Sequence, residues 1–223
     1  MSRLPDDPEG FIRANTALET PAMVPEFRLW LASEYVPIWQ ATEAWLEEQN
    51  VDPPYWAFCW PGGQAVARYL LDNPEVVAGK RVIDFAAGSG VSSMAAARCR
   101  AASVVANDID RLSLVAARLN ATANGLSIDT SSEDWLAETP GDPEADVVIA
   151  GDVCYEREMS VHALAWLRSH AAKGRLVLLG DPGRNYFSAQ GLEELGRYEI
   201  PTSLQLENRG MRETVVWRVL PVS

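Results

Sequence analysis

The sequence predicts an α/β fold in which helices cover both faces of a mostly parallel β-sheet. Short apolar strands alternate with helices from about residue 80 onward, and such strands are typical of a parallel sheet buried on both faces. The end of the chain differs, because two strand-like segments flank Asn208-Arg209-Gly210 and predict a closing antiparallel hairpin. The 223 residues, 48% of them hydrophobic, suit a single globular unit with a sizeable core.

The first 60 residues predict a helical extension packed on the core, and residues 61–223 predict the α/β domain itself. Five of the eight tryptophans lie in the extension, and so much aromatic surface is not expected to stay in water. Prolines divide this region into short segments, of which residues 27–34 and 37–50 are expected to be helices. Within the second, Ile38, Trp39, Thr42, Trp45 and Leu46 recur at helical spacing.

The α/β domain alternates apolar or β-branched runs, which predict strands, with alanine-rich runs, which predict helices. Asn124-Gly125 and Gly174 are typical helix ends. In chain order, the expected elements are a strand at 81–86, a helix at 91–101, a strand at 103–110, a helix at 111–125, a strand within 126–134, a strand at 145–152, a helix at 159–174, a strand at 175–181, and hairpin strands at 197–208 and 211–220.

Composition limits the classes of function. The net charge of −12 argues against nucleic acid as the main partner, because nucleic-acid binders need a basic face. It leaves cationic partners open. Three scattered cysteines and two histidines argue against a disulfide framework and against a zinc site. Neither a signal peptide nor an apolar run of membrane-spanning length is found, so we expect a cytoplasmic protein with no membrane partner.

The segment Val82–Gly90 is the most informative for function. It leaves a strand and enters a helix through small residues, which let the backbone approach a ligand closely, and the helix N-terminus offers free N–H groups. Asp108 ends the next strand and is placed to accept hydrogen bonds from the two hydroxyls of a ribose. Together these features predict an adenosine-type cofactor site at the carboxyl edge of the sheet. The alternative is a tight turn that uses small residues only for packing.

The carboxylate of Asp84 indicates which kind of cofactor the site binds. A dinucleotide fingerprint wants a glycine or alanine where this chain has Ser93, so that match is partial. Asp84 would repel a pyrophosphate, but it suits a cofactor with a positive amino group. S-adenosyl-L-methionine (SAM) carries such a group together with a sulfonium. The pattern therefore favours SAM over a nicotinamide dinucleotide.

The segments 82–90, 106–110 and 147–156, in this order and spacing, resemble class I SAM-dependent methyltransferases. More narrowly, Asp152-Val153-Cys154-Tyr155 resembles the acid-x-x-aromatic signature of the seven-β-strand protein-lysine methyltransferases. Residues 54–64 and 68–72, with the loop Gly180–Arg184, resemble the electron transfer flavoprotein β-subunit lysine methyltransferases and their bacterial relatives. The resemblance covers about residues 10–220.

This resemblance implies a Rossmann-like seven-stranded fold and an enzyme that uses SAM and releases S-adenosyl-L-homocysteine (SAH). It further implies protein-lysine N-methylation with the electron transfer flavoprotein β-subunit as partner, by an enzyme expected to be a monomer. Asp152 would orient the target amine and Tyr155 would line the lysine channel. The alternatives are that Asp152 caps the next helix and that Tyr155 fills the core.

The other candidate residues are expected to contact the cofactor or the substrate. Ala86 stands where the family has a glycine, and an alanine is compatible if its φ is negative. Asp181 and Arg184 are candidates for substrate contact. The acids Glu43, Glu47 and Glu48 suggest a docking surface for a lysine-bearing partner, although such acids are more often a solvated face. The residues predicted to bind the cofactor are Trp60, Asp84, Ala86, Gly88, Gly90, Asp108, Ile109, Glu133, Asp134, Trp135 and Gly151. The alternative for Trp60 is core packing, and the alternative for Glu133 and Asp134 is a solvated or helix-capping position.

Other functions stay open at this level. The enzyme could methylate another protein, such as a ribosomal one, or a small amine. A protein of another class could bind SAM or a nucleotide only as a sensor. A nicotinamide oxidoreductase comes last, because Asp84 and the missing third glycine disfavour it.

Overall fold

A seven-stranded sheet forms the centre of the computed structural model, which describes residues 4–32, 54–137, 142–202, 207 and 209–221. Two short strands of the N-terminal extension form a separate small sheet. In chain order the strands are β1 (Ala17–Glu19), β2 (Leu29–Leu31), β3 (Arg81–Phe85), β4 (Ser103–Asn107), β5 (Asp129–Ser131), β6 (Val147–Gly151), β7 (Leu176–Asp181), β8 (Leu192–Pro201) and β9 (Met211–Val219).

The large sheet has the order β5-β4-β3-β6-β7-β9-β8. Its first five strands are parallel, and β9 pairs antiparallel with both β7 and β8. The chain moves outward in one direction from β3 to β5 and in the other from β6 to β7. The strand order therefore reverses between β3 and β6, which is where open α/β sheets bind their ligands. The predicted α/β class with a closing hairpin is confirmed.

Helices cover both faces of this sheet. The helices are α1 (Pro8–Asn15), α2 (Pro61–Asp72), α3 (Val91–Arg98), α4 (Arg111–Ala123) and α5 (Arg157–Ala172). Alternate residues of each strand enter opposite cores, as the pleat requires. Val82 and Leu178 pack in one buried cluster, whereas Ile83 and Leu179 pack in the other. None of the described helices is long and apolar enough to cross a membrane.

The helix predicted over residues 27–34 is wrong, because strand β2 lies there and pairs antiparallel with β1. A side chain from α4 also holds the segment extended: the Trp30 backbone N–H donates to Asn120 Oδ1 at 2.7 Å. This partner lies far along the chain, so helical spacing alone could not reveal it. The second predicted helix, over residues 37–50, lies outside the described residues.

The described part of the extension packs on the α/β domain. Phe27 and Leu29 belong to the same buried cluster as Leu70 of α2. Ile12 of α1 packs in another cluster with Leu119 of α4. The division of the chain at residue 60 stays a prediction.

The first strand of the closing hairpin lies earlier in the chain than predicted. Strand β8 spans Leu192–Pro201 instead of residues 197–208, and it begins directly after Gly191, whose φ of 72° makes the turn. The pairing with β9 shifts register between Glu194 and Gly196. A bulge of this kind interrupts the alternation from which strands are recognised in a sequence.

Candidate active site

A cavity of about 830 Å³ opens at the carboxyl ends of β3, β4 and β6, next to the point where the strand order reverses. It brings together most of the side chains predicted for the cofactor and the amine. Those that line it are Trp60, Ala86, Gly88, Asp108, Ile109, Asp134, Trp135, Gly151, Asp152 and Tyr155. Asp84, Gly90 and Glu133 are not part of its lining.

The loop between β3 and α3 turns through three residues with left-handed backbone. Gly88 and Gly90 have φ angles of 51° and 75°, and Ala86 has a φ of 54°. The condition set above for an alanine at position 86, a negative φ, is therefore not met. The turn directs the Ala87 N–H to the Asn107 carbonyl at 2.9 Å, and this conformation costs about 1 kcal/mol in an L-residue. At Gly90 a Cβ would lie 2.7 Å from the Cβ of Ala117, so only glycine lets α3 pack on α4.

Asp84 lies beneath this loop. One of its oxygens, Oδ2, accepts hydrogen bonds from the Ser93 backbone N–H at 2.9 Å and from the Ser93 hydroxyl at 2.7 Å. Burial raises the pKa of Asp84 to about 7. The carboxyl group thus joins the end of β3 to the first turn of α3. Its predicted contact with the cofactor amino group stays a prediction.

Asp108 lines the cavity immediately after β4. Its two oxygens accept backbone hydrogen bonds from Gly88 at 3.0 Å and from Asp110 at 2.9 Å. Burial raises the pKa of Asp108 to about 6, so the carboxylate is still mostly ionised at neutral pH. An ionised carboxylate fixed by two N–H groups and facing a cavity suits the hydroxyl pair of a ribose.

The side of the cavity after β5 is built from residues that the sequence partly missed. Asn107, which was not predicted, lines the cavity and donates to the carbonyls of Ser131 at 3.1 Å and Glu133 at 2.9 Å. Glu133 turns its side chain toward Trp135, whose indole N–H donates to it at 3.0 Å. Trp135 stacks on Trp166 of α5. Asn107 therefore fixes the segment that carries Trp135, and Trp135 forms part of the cavity wall.

Asp152 forms a buried ion pair that the sequence did not predict. Its Oδ1 accepts hydrogen bonds from Arg184 Nη2 at 2.6 Å and Nε at 3.0 Å, and its Oδ2 accepts from the Gly63 N–H at 3.2 Å. The same guanidinium pairs with Glu207 at 2.7 Å. The alternative that Asp152 caps the following helix is wrong, because Glu156 is the N-cap of α5.

Asp181 holds the loop that presents Arg184. Its Oδ1 accepts the backbone N–H groups of Gly183 and Arg184, both at 2.7 Å. Burial raises the pKa of Asp181 to about 6. Asp181 thus holds its own loop and also contacts the Cys154 thiol, whereas Arg184 reaches the cavity lining.

Tyr155 stands at the mouth of the cavity with 42% of its surface exposed, so the alternative that it fills the core is wrong. Its ring packs against Tyr55 with centroids 5.6 Å apart, and Tyr55 in turn packs against Trp60 at 6.1 Å. Burial raises the pKa of the Tyr155 hydroxyl to about 12, so the ring stays neutral. The three rings form an aromatic wall beside Asp152.

Comparison with known proteins gives relatives along almost the whole chain. The electron transfer flavoprotein beta subunit lysine methyltransferase of Xenopus laevis is 37% identical, over 96% of this chain and 87% of the relative. The protein of the same name from Danio rerio is 36% identical over 96% and 83%, and the human one is 33% identical over 96% and 84%. The chain belongs to this family of lysine methyltransferases. It is accordingly a SAM-dependent enzyme that methylates protein lysine.

Other comparisons match part of the chain or support its fold. A profile of the ribosomal protein L11 methyltransferase (PrmA) family matches residues 67–153. Among solved structures, magnesium protoporphyrin IX methyltransferase (ChlM) from Synechocystis with bound SAM has a TM-score of 0.52 at 18% identity, over 70% of this chain and 77% of that one. Thermoplasma acidophilum 1320 has a TM-score of 0.54 at 19% identity, over 72% and 90%. These two structures support the fold.

The charge of the cavity of this family member fits SAM. Among the described residues that line it, Arg184 alone carries a permanent positive charge, and six carboxyl groups oppose it. These belong to Asp108, Asp110, Asp134, Asp152, Glu156 and Glu158. Such a lining attracts the ammonium and sulfonium groups of SAM and would repel a pyrophosphate.

The Trp60-Pro61-Gly62-Gly63 segment of this lysine methyltransferase places α2 directly on the ends of β6 and β7. A Cβ at Gly62 would lie 2.4 Å from the Gly180 carbonyl and 2.5 Å from Asp152 Oδ2. A Cβ at Gly151 would lie 2.6 Å from the Gly63 nitrogen. Backbone therefore packs on backbone here, which explains why glycines recur at these positions and how Gly63 reaches Asp152.

Proposed function

We propose that this enzyme methylates lysine side chains of the electron transfer flavoprotein β-subunit. The observation that carries the proposal is the similarity, along 96% of the chain, to relatives named for that substrate. The mouth of the cavity supports it, because an acid and an aromatic ring stand where a lysine would enter. The net charge of −12 favours a cationic protein partner in the cytoplasm over nucleic acid.

The transfer requires alignment of an amine with an electrophilic methyl carbon, which SAM supplies on its sulfonium. The lysine stem would lie along the aromatic wall of Tyr155 and Tyr55, and Asp152 would accept a hydrogen bond from the amine and so direct its lone pair. The amine is protonated in water, with a pKa of about 10.4, so a proton must leave to solvent before transfer. The new N–C bond then forms as the C–S electron pair returns to sulfur.

A docking surface for the substrate protein continues from this mouth. Tyr55, Ile109 and Tyr155 are exposed and line the cavity, whereas Val161 and Tyr186 are exposed and line a shallow depression beside it. Glu156 and Glu158 border both. A surface that combines exposed apolar groups with carboxylates fits a basic, partly apolar segment around the target lysine. The acids Glu43, Glu47 and Glu48, suggested earlier for docking, lie outside the described residues.

Replacement of Val161 by lysine should raise KM for the protein substrate about tenfold, because it removes an apolar contact and places a cation before a basic partner. Val161 lies in the depression and not in the cavity, so kcat and SAM affinity should stay within about twofold. Met211→Lys is the matched control, since Met211 is similarly exposed but lies on β9 outside this surface. Equal KM values for the two variants would contradict the proposed docking surface.

The substrate is tested by incubation of the enzyme with labelled SAM and purified electron transfer flavoprotein, followed by mass spectrometry of the β-subunit. We expect methyl-sized mass increments on lysine, which are lost in Asp152→Asn. SAM binding without transfer to this protein would contradict the proposed substrate. The search would then move to other lysine-bearing proteins in a lysate, including ribosomal protein L11, whose methyltransferase resembles residues 67–153.

A further inference from the structure

We propose that Arg184 is a positioning residue that sets the charge of the acceptor site, so that the substrate lysine at Asp152 loses its proton more readily than it would beside an unpaired carboxylate. The inference rests on the proposed function, because it concerns the amine that this site methylates. It assigns a role to a residue whose side chain lines the cavity yet is held by protein groups on both sides.

The contacts of Arg184 are those of a fixed charge. Its guanidinium donates twice to Asp152 and twice to Glu207, at distances from 2.6 to 3.1 Å. It also lies over the Trp60 ring, 5.6 Å from the centroid. Its side chain is only 15% exposed. A guanidinium tied on two edges and stacked on a ring has little freedom to leave, so the cation stays beside Asp152.

The charges around Asp152 alternate. Arg184 separates Asp152 from Glu207, and Arg212 donates to Glu207 at 2.9 Å from the opposite side. Asp181 faces the pair from its own loop. The neutral groups that also sense Asp152 are the thiols of Cys59 and Cys154. Two carboxylates, Asp152 and Glu207, are thus balanced by two guanidiniums, with Asp181 adjacent.

This balance matters for the chemistry because an ammonium ion has no lone pair. A lone buried carboxylate would hold the lysine as its ammonium form and raise the pH at which the reactive amine appears. A guanidinium already bound to Asp152 opposes that second cation, yet it leaves lone pairs on the carboxylate to accept from a neutral amine. At an effective dielectric constant near 20, the repulsion between the guanidinium and an ammonium ion within the site lowers the pKa of the bound amine by about one unit or more.

The test is the pH dependence of kcat. Arg184→Met should move the midpoint about one unit toward higher pH, while the rate on the alkaline plateau returns to within about threefold of the unchanged enzyme. Arg184→Lys keeps the charge and should keep the midpoint. Glu207→Gln removes a carboxylate from the same network and should move the midpoint toward lower pH. A fall of kcat by the same factor at every pH in Arg184→Met would overturn the proposal, since a purely structural role predicts that result.

A second readout does not depend on the identity of the substrate. The probe n-butylamine is titrated into the enzyme–SAH complex at several pH values and followed by calorimetry. The enzyme with Arg184 should bind n-butylamine about tenfold more tightly above the pKa of the amine than at pH 7. Arg184→Met should bind the neutral and the protonated amine equally well. The same preference in both proteins would overturn the proposal, even if electron transfer flavoprotein proved not to be the substrate. If Arg184→Met fails to fold, the other two variants still test the proposal. Arg184→Lys must keep the midpoint of the pH dependence of kcat, and Glu207→Gln must move that midpoint to lower pH.

Discussion

Replacement of Asp152 by asparagine should lower kcat about a hundredfold or more and leave the affinity for SAM within a few-fold. The carboxylate is the group proposed to position the amine, and a misplacement of about 1 Å between reacting groups costs about a hundredfold in rate. Asparagine cannot reproduce the existing contacts. Its carbonyl could still accept from Arg184, but its NH₂ group would then face the Gly63 N–H, which now donates to Oδ2 at 3.2 Å.

The control for this variant is an aspartate at the opposite end of strand β6. Asp146 precedes β6 and pairs with Arg81 at the amino edge of the sheet, where both side chains are well exposed. Asp146→Asn should have little effect on stability, because exposed ion pairs contribute little, and should leave kcat unchanged. The two variants are compared by labelled methyl transfer, with SAM affinity from calorimetry. A kcat for Asp152→Asn equal to that of the control would contradict the role given to Asp152, because transfer would then proceed without the carboxylate that is proposed to position the amine.

The strands and helices of the α/β domain were predictable from the sequence because each has a local composition of its own. Residues 82 and 83 enter opposite cores, and a strand buried on both faces is an uninterrupted apolar run that can be recognised without its partners. Asp108 was predictable for a similar reason, since it follows the strand after the glycine loop at the distance that a ribose site requires. Strand β2 was missed because the side chain that accepts its Trp30 backbone N–H belongs to Asn120, which is distant in sequence.

The charge network of the site could not be predicted in the same way. Asp152 and Arg184 were each singled out, but nothing in their spacing indicates that they form one ion pair with Glu207. The positive φ of Ala86 was hidden as well, because the alanine itself suggested ordinary backbone. Contacts between separate loops depend on the packing of the whole sheet, whereas residue type alone reports local preference.

Replacement of Gly180 by alanine should cost about 3 kcal/mol of unfolding free energy and abolish most activity. Its Cβ would lie 2.2 Å from the Gly62 carbonyl oxygen and 2.8 Å from Val66 Cγ2. The first contact is with backbone, so α2 must move away from β7. For a chain of 223 residues this destabilisation corresponds to a fall in Tm of about 10 °C. Activity should fall with it, because the Gly180 carbonyl accepts the Asp152 backbone N–H at 3.0 Å.

Gly210→Ala is the matched control, because a Cβ at Gly210 would meet no atom of the described residues within 4 Å and its φ is outside the left-handed region. That variant should keep its Tm within about 2 °C. Gly62→Ala approaches the same contact from the other side, since its Cβ would lie 2.4 Å from the Gly180 oxygen. If the close approach of α2 to the strand ends positions Asp152, both Gly180→Ala and Gly62→Ala must lose activity even at temperatures where circular dichroism shows them folded. Full activity in either folded variant would contradict that dependence, because α2 could then shift without moving the carboxylate.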